Sequence, residues 1–435
     1  MKRKRRPNTL KTATPLLRNI LSKKELELEL KKGIVFLCTL LMTMLFAVTP
    51  LAGSADEETV TINVYNWGQY MALGEEGAIH VNEEFTKRTG IKVNYSIYDS
   101  NEVMYTKLKT GGANYDVIIP SDYMIERMIK EDMLEELNFD NIPNFQYIDE
   151  GFVNPVYDPE NKYSVPYTYG TVGLIYNTKY VTETPDSWEA LWDEQYKGKI
   201  LMFDNPRDAF GIAQALLGYD LNTTDENELR ACQEKLKEQK PLVQGYVMDQ
   251  VFQLMENEDA WLAPYYAGDY LTMYENNPDL GFVLPKEGFN KFVDAICIPK
   301  GAAHKEAAEA YINFLCDPEI AGRNMDAIGY STPISAAKEY MSEEYANSPI
   351  AYPDAETLER GEIFTNLPDE TLQLMDSLWS GMKVGQRSVL LYVLIAAGVV
   401  VLVALDVYKR QPLCCAAWNI RMWKPCCAGC RMSAC

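Results

Sequence analysis

Two aromatic side chains stand just beyond the first predicted strand, where they could meet a ligand. Residues 59–65 alternate apolar and polar residues, which predicts a strand, and Trp67 and Tyr70 follow in the stretch "NVYNWGQY". Aromatic rings cover apolar groups and attract cations with their faces. The pair is therefore a candidate wall of a binding site, although Trp67 could instead fill the space between a helix and the sheet.

A hydroxyl and a further aromatic residue, Ser121 and Tyr123, follow another predicted strand in the same way. Strands are predicted at 59–65, 91–98 and 115–121, with helices between them, and the third strand is almost entirely apolar. A βαβαβ order with a continuous apolar strand predicts a parallel sheet covered by helices. Ligands bind beyond the carboxyl ends of strands in such sheets, so all four side chains are expected at one edge.

A second α/β region follows and returns to the first. The segment 163–180 predicts a strand with Pro166 and Gly170 where the chain could cross between lobes, and 293–302 predicts another apolar strand. The pattern therefore predicts two α/β lobes joined by strands. The carboxyl ends of both sheets should face one cleft.

The charge of the chain favours cationic ligands. The formal net charge is −21 over 435 residues, and residues 56–387 hold 25 Lys/Arg and 58 Asp/Glu, a net of −33. Such a body attracts cations and repels nucleic acid and anionic lipid. Acidity can also serve solubility alone, so the composition argues against a nucleic-acid partner without identifying a ligand.

Residues 1–55 have the features of a signal peptide with an N-terminal extension. An apolar run at 33–48 follows two lysines, and small residues precede a cleavage site predicted after Ala55. Ser54 stands where a lipoprotein signal would have its lipid-bearing cysteine. We therefore expect an exported protein that carries no lipid at this site.

Residues 388–405 contain a second apolar run, which could replace the missing anchor. The 17 uncharged residues that begin at Val389 approach the length that spans a bilayer, so we predict a transmembrane anchor, with a buried core helix as the alternative. Residues 406–435 hold six of the ten cysteines in a composition foreign to the body, and we interpret them as an artefact of sequence assembly or translation. The body cysteines, expected to be buried free thiols, are Cys232, Cys297 and Cys316.

Several segments carry a recognisable pattern, in order along the chain. They include "VYNWGQY", "YDVIIPSDYMIERM", "SWEALWDEQYKGKILMFDNPRDAFG", "IGYSTP" and "YPDAETLERGE", between about residue 59 and residue 375. These segments resemble the polyamine-binding proteins of bacterial ABC importers, the spermidine/putrescine type. The resemblance implies an α/β, two-lobed periplasmic-binding-protein fold with a ligand cleft between the lobes. It also implies a monomer without catalysis or cofactor that delivers a polyamine to permease subunits driven by a cytoplasmic ATPase.

The same resemblance assigns the chain to its two lobes. Lobe 1 is expected to comprise residues 56–166 and 293–335. Lobe 2 is expected to comprise residues 167–292 and the helices of 336–382.

Nine residues match the positions that face the ligand in that family. The choice of polyamine stays open, because several positions depart from the usual pattern. Asn205 stands in place of an acid, and Asp208 in place of a glutamate. Tyr266 replaces a tryptophan, and Gly68 replaces a hydroxyl residue. The nine are Trp67, Tyr70, Ser121, Tyr123, Asn205, Asp208, Tyr266, Asp269 and Tyr330.

Some of these residues also have ordinary structural explanations. Tyr123 opens a helix and could simply pack there. Asp208 lies near a helix start, where an acid is stabilised by the helix dipole in any case. Tyr330 could pack at the hinge between lobes. Asp269 follows Gly268 at a predicted strand end, and we expect it to be the principal carboxylate.

Other classes of function rest on residue pairs. Tyr265 and Tyr266 could be the paired tyrosinates of a ferric-binding protein, but the neighbouring segments suit iron poorly. Asp204 and Asp208 could be the paired carboxylates of a glycosidase, but no nucleophile elbow or metal cluster accompanies them. A structural surface protein would leave the aromatic residues at strand ends unexplained. A receptor for another cation or for ferric iron is therefore the main alternative to a polyamine receptor.

Overall fold

The computed structural model describes residues 59–112 and 114–383. From Val60 onward, the described residues belong to one compact unit. The predicted signal, the predicted anchor at 388–405 and the tail at 406–435 lie outside the described residues. Within the described ranges, no helix combines the length and the hydropathy needed to cross a bilayer.

Ten strands form the sheet. They are β1 (Thr61–Trp67), β2 (Lys92–Tyr98), β3 (Val117–Ile118), β4 (Ser164–Asn177), β5 (Ile200–Phe203), β6 (Val243–Val247), β7 (Leu262–Tyr266), β8 (Leu280–Val283), β9 (Phe289–Cys297) and β10 (Gly361–Glu362).

Helices connect the strands and cover the sheet. The α-helices are α1 (Val81–Thr89), α2 (Asn101–Lys109), α3 (Asp122–Lys130), α4 (Pro206–Leu217), α5 (Glu226–Gln239), α6 (Gln250–Glu256), α7 (Ala267–Asn276), α8 (Lys305–Leu315), α9 (Pro318–Ile328), α10 (Glu343–Ala346), α11 (Ala355–Glu359) and α12 (Asp369–Lys383). Short 3₁₀ helices lie at Glu75–Gly77, Phe139–Asn141, Pro143–Tyr147, Glu150–Phe152, Trp188–Trp192, Glu194–Tyr196 and Ser335–Tyr340.

The sheet contains two parallel groups of strands joined by an antiparallel pair. The strand order is β2-β1-β3-β9-β4-β7-β5-β6, with β10 beside β9 and β8 beside β4. β1 pairs in parallel with β2 and β3, and β5 pairs in parallel with β6 and β7. The long strands β4 and β9 pair antiparallel with each other and join the two groups. The parallel βαβαβ arrangement predicted from the sequence is confirmed.

Some strand boundaries differ from the sequence-based expectation. β1 extends through Trp67 instead of ending before it. β3 is limited to Val117–Ile118, because Pro120 has no amide hydrogen to donate and Ser121 is already the N-cap of α3. The second crossing strand begins at Phe289, ahead of its predicted start.

Two large hydrophobic cores account for the two lobes. The first core draws on residues 62–167 and 292–337, with a smaller cluster beside it. The second draws on residues 172–289 and 345–382. β4 contributes to both cores, so the crossing strands connect two separately packed bodies. The exact lobe boundaries given above stay predictions.

Local capping sets where helices begin and end. Ser100 accepts a hydrogen bond from the Val103 amide at 3.2 Å and so begins α2 just beyond β2. Gly90 closes α1 in the left-handed conformation with φ of 77°, as its position in the sequence predicts. Cys232, Cys297 and Cys316 are buried free thiols, as expected.

Candidate functional site

The nine residues selected from the sequence all line one cleft. The cleft has a volume of about 720 Å³, part of it open to solvent, and its lining comes from both sides of the crossing strands. The fold therefore gathers side chains that are far apart in the sequence. Ligand binding by these nine residues stays a prediction. Because they all line one cleft, we expect the ligand to bind there.

Helices that begin at the cleft carry acids at their N-termini. A helix N-terminus has a partial positive charge and ordinarily suits an anionic ligand. In this cleft the chain's own carboxylates occupy those positions, and the site they form attracts cations instead. These acids are Glu102 of α2, Asp122 of α3, Asp208 of α4, Asp249 at the cap of α6, and Asp269 of α7.

The ionisable groups that line the cleft are mostly acids, one of which, Asp122, is mostly protonated near pH 7 because burial raises its pKa to about 8. Among the described residues, seven acids line the cleft and a single guanidinium, that of Arg207, opposes them. The two carboxylates outside helix N-termini are Asp99 and Asp294. An excess of one sign in a concave site raises the local concentration of ions of the other sign. The cleft is therefore suited to a ligand with several positive charges.

Asp294 of β9 is a buried carboxylate of the cleft that sequence reasoning missed, as is Asp122. Asp294 is 4 % exposed, and Tyr70 donates its hydroxyl hydrogen bond to Oδ2 at 2.5 Å. The other oxygen, Oδ1, is buried and accepts no well-oriented hydrogen bond from the described residues. Burial raises the pKa of Asp294 to about 6, while hydrogen bonds from Tyr70 and Ser121 lower it and the charge of Asp208 raises it. A cation near Oδ1 would stabilise the ionised form.

Tyr70 contributes to the cleft mainly by holding the carboxylate of Asp294 in position. Its ring is 4 % exposed, and its hydroxyl lies 2.5 Å from Thr168 Oγ1 as well as from Asp294. Tyr70 therefore positions Asp294 and presents little free surface of its own. The signal that could have revealed Asp294 is the single acid within the apolar run "FVDAICIP".

Asp208 is held at the start of α4 by two donors. Asn205 Nδ2 donates to Asp208 Oδ2 at 2.7 Å, and Asn205 Oδ1 accepts from the Asp208 amide at 2.8 Å. The Tyr266 hydroxyl donates to the same Oδ2 at 2.8 Å. Burial raises the pKa of Asp208, and these donors oppose that shift. Asn205 and Tyr266 therefore position Asp208, which lines the cleft and stabilises its helix at the same time.

Asp269 lies in the first turn of α7, because β7 ends before it, and not at a strand end as expected. Burial raises its pKa well above the usual range, a hydrogen bond with Tyr330 lowers it, and the charge of Asp249 raises it. Gly268 makes the approach of Tyr330 possible, since a Cβ there would lie 2.4 Å from Tyr330 Cδ2. Tyr330 also packs edge-on against Tyr70 with ring centroids 4.7 Å apart. It therefore lies between Asp269 and the Tyr70 that holds Asp294.

Trp67 and Tyr123 are half-buried side chains that line the cleft, and hydrogen bonds from their polar atoms hold them in position. Trp67 Nε1 donates to the carbonyl of Ile119 at 2.8 Å, and its ring packs on Tyr98 at 4.7 Å. The Tyr123 hydroxyl donates to Glu102 Oε1 at 2.9 Å. Both side chains line the cleft while part of each is buried, so packing and ligand contact are compatible here.

Arg207 is another lining residue that sequence reasoning did not select. Its guanidinium lies 4.2 Å from the ring centroid of Phe364, and Nη2 donates to the carbonyl of Thr365 at 3.3 Å. Burial lowers the pKa of Arg207 to about 10, against the charges of its acidic neighbours. No local pattern distinguishes Arg207 or Phe364, since they meet only in the folded protein.

The two competing site hypotheses lack support in this geometry. Burial raises the pKa values of Tyr265 and Tyr266 well above the usual range, so both phenols are protonated in the ligand-free cleft, and Tyr266 already donates its hydroxyl hydrogen to Asp208. Asp204 does not line the cleft and pairs with Lys383 instead, so it cannot act with Asp208 as a catalytic pair. Within the described part of the chain, no group of three or more His, Cys, Asp or Glu side chains is arranged to hold a metal ion.

Comparison with known protein families gives a decisive match. The family of bacterial extracellular solute-binding proteins matches residues 81–353, more than half of the chain. The chain belongs to this family. The family consists of exported solute-binding proteins of transport systems and is not a class of enzymes.

The alignments of this solute-binding protein with named relatives cover nearly the whole length of those relatives. It is 37% identical over 329 residues to the spermidine/putrescine-binding periplasmic protein of Salmonella typhimurium, which covers 75% of this chain and 92% of the relative. It is 31% identical over 366 residues to the putrescine-binding periplasmic protein SpuD of Pseudomonas aeruginosa, covering 80% and 98%.

A solved structure agrees with the fold of this solute-binding protein. A putative spermidine/putrescine ABC transporter protein from Listeria monocytogenes is 37% identical and superimposes with a TM-score of 0.71, covering 74% of this chain and 99% of that one. The fold is therefore the α/β, two-lobed fold of the periplasmic binding proteins.

Proposed function

We propose that this solute-binding protein binds a polyamine in the cleft and delivers it, as a monomer, to the permease of an ABC transporter driven by a cytoplasmic ATPase. The observation that carries the proposal is the cleft itself. Seven acids and one guanidinium line it within the described residues, interleaved with aromatic rings. The relatives from Salmonella and Pseudomonas are named as spermidine/putrescine-binding and putrescine-binding proteins, which supports the same ligand class.

The carboxylates suit a ligand with more than one ammonium group. The first group comprises Glu102, Asp208 and Asp294, and the second group comprises Asp99, Asp249 and Asp269. Within each group, the charge of one acid raises the pKa of another. Tyrosine rings lie between the groups, since Tyr330 packs on Tyr70 and lies against Gly268, the neighbour of Asp269. A polyamine has the matching pattern of ammonium groups separated by methylenes.

The expected interactions are strong enough for useful affinity. A charge-assisted hydrogen bond contributes roughly 1.5–3 kcal/mol, and a cation over an aromatic face roughly 0.5–2 kcal/mol. A few such contacts give micromolar binding, about −8 kcal/mol, after the cost of ordering a flexible chain.

The purified protein should bind at least one of putrescine, spermidine and spermine by calorimetry, and it should hydrolyse none of them. Small-angle scattering during the same titration should show compaction, because closure about β4 and β9 brings the carboxylates of both lobes around the ligand. Ferric citrate serves as the competing ligand. Tight ferric binding with a visible charge-transfer band, and no heat with any polyamine, would overturn the proposal.

Trp67→Ala should lower polyamine affinity by about 5- to 150-fold, since it removes about 1–3 kcal/mol of cation–π contact and apolar cover. Trp261→Ala is the matched control, because Trp261 is also half-buried and stacks on Tyr180 outside the cleft. The control should keep its affinity. A sharp fall in melting temperature for Trp67→Ala without a change in affinity would show that the tryptophan only packs.

We also propose that the apolar run near the C-terminus anchors the protein in a membrane. Ser54 cannot carry a lipid thioether, and the apolar run from Val389 to Leu405 approaches the length that spans a bilayer. Full-length protein should therefore sediment with membranes, and a chain that ends at Lys383 should be released in soluble form. If the shortened chain still sediments with membranes, the anchor lies elsewhere.

A further inference from the structure

Asp249 begins a helix that it does not cap. An aspartate at a helix start normally accepts a hydrogen bond from an amide of the first turn. The side chain of Asp249, at the cap of α6, accepts none. Within the described part of the chain, no hydrogen bond or ion pair reaches its carboxylate. The carboxylate is therefore directed away from its own helix and stays available to another partner.

Gly68, across the cleft, provides the space that this carboxylate occupies. A Cβ on Gly68 would lie 2.1 Å from Asp249 Oδ2 and 3.5 Å from Oδ1, so any side chain there would displace the carboxylate. Gly68 follows β1 of one parallel group and Asp249 follows β6 of the other, so the contact spans the cleft. Gly68, which stands where the family usually has a hydroxyl residue, therefore leaves room for the carboxylate of Asp249 at this end of the cleft.

Asp294, Asp269 and Asp249 line one cleft together with tyrosine rings. Asp294 accepts from Tyr70, Tyr70 packs on Tyr330, and Tyr330 lies against Gly268 in the helix turn that carries Asp269. Asp249 lines the same cleft against Gly68, and its charge raises the pKa of Asp269. A ligand with three ammonium groups would have one for each of Asp294, Asp269 and Asp249.

We propose that Asp249 determines specificity by taking an ammonium group beyond the two held at Asp294 and Asp269, so that the cleft prefers a triamine to a diamine. This rests on the proposed function and names the ligand within its class. Asp249 offers a carboxylate that lacks an internal partner, in a partly buried position beside Asp99 and Asp269. A cation from the ligand relieves the repulsion among these three acids.

Calorimetry with putrescine, a diamine, and spermidine, a triamine, tests the assignment. Asp249→Asn should lower the affinity for spermidine tenfold or more and that for putrescine less than threefold. Gly68→Ala should shift the ratio of the two affinities in the same direction, because its Cβ displaces the carboxylate. The double variant should be no weaker for spermidine than Asp249→Asn alone. Asp140→Asn, an exposed acid outside the cleft, is the control for a general loss of negative charge.

The outcomes separate this inference from the proposed function. An equal loss for both ligands, no loss, or additive losses in the double variant would overturn the role of Asp249 while leaving polyamine binding intact. Gly68→Ala lies in the opposite lobe and gives an independent reading of the affinity ratio if Asp249→Asn fails to fold. If the unaltered protein binds no polyamine, both the proposed function and the inference fail.

Discussion

Asp294→Asn should lower polyamine affinity by about 30-fold to several thousand-fold, as expected when a buried charge pair loses one partner at roughly 2–5 kcal/mol. The carboxylate is 4 % exposed, and its Oδ1 has no well-oriented donor among the described residues. Asparagine keeps the shape and can still accept the hydrogen bond of Tyr70. Calorimetry at pH 7.5, beside the melting temperature without ligand, measures the effect.

The ligand-free melting temperature distinguishes lost binding from lost folding. Since burial raises the pKa of Asp294 to about 6 from 3.8, its ionisation destabilises the ligand-free fold by about 3 kcal/mol above pH 6. Asp294→Asn removes this penalty, so the variant should melt higher at pH 7.5 while it binds more weakly. Unchanged affinity, or a loss that accompanies a lower melting temperature, would contradict a direct role for Asp294.

The same group makes binding depend on pH. The folded pKa is raised, so the ligand-free protein holds a proton on Asp294 below pH 6, and this part of its stability declines as pH rises from about 4 to about 6. An ammonium ligand favours the ionised carboxylate, so binding below pH 6 must release that proton. Affinity should therefore fall with decreasing pH, by at most about tenfold per pH unit for this one group. Asp294→Asn should flatten this part of the profile.

Asp269→Asn should also cost roughly 2–5 kcal/mol of binding free energy, because it leaves an ammonium group in a closed cleft without its counter-charge. Asp269 is 7 % exposed and lines the cleft, where Tyr330 packs against its helix turn. Calorimetry with putrescine and spermidine measures the loss. Both ligands should be affected, since Asp269 is expected to hold one of the two ammonium groups that putrescine and spermidine share.

Asp208→Asn is the matched comparison for that variant. Asp208 sits at the same third position of its helix as Asp269, but two donors already satisfy its Oδ2. Its substitution should therefore cost less affinity than that of Asp269. A larger loss for Asp208→Asn would mean that the second-lobe positions taken from the family resemblance are displaced.

The elements around the cleft could be predicted because their signals are local. Alternation of apolar residues marks β1, the glycine at position 90 ends α1, and a nearly all-apolar run marks the buried centre of the sheet. Strand ends were less accurate. Trp67 belongs to β1, and β3 stops early, because strand length depends on which neighbour accepts each backbone hydrogen bond.

The nine site positions could be named because each falls in a short motif that resembles the polyamine-binding family. Asp294 could not be named in the same way. A single acid in an apolar strand gives no hint of its partner, and Tyr70, which donates to it, lies 224 positions away in the sequence. Arg207 and Phe364 escaped notice for the same reason, since their contact forms only between separate segments.

The sequence by itself determined the family, the parallel strands with their helices, and the aromatic and acidic residues that follow strand ends, since each depends on neighbours a few positions apart. Only the tertiary structure decided which of these side chains are held in place by which neighbours. Tyr70 donates a hydrogen bond to Asp294 on β9, and Asn205 and Tyr266 donate hydrogen bonds to Asp208. Gly68 leaves room for the carboxylate of Asp249 across the cleft. The physical reason is that burial, hydrogen-bond partners and pKa values come largely from contacts between segments that are far apart in the chain, which packing creates and no local pattern records.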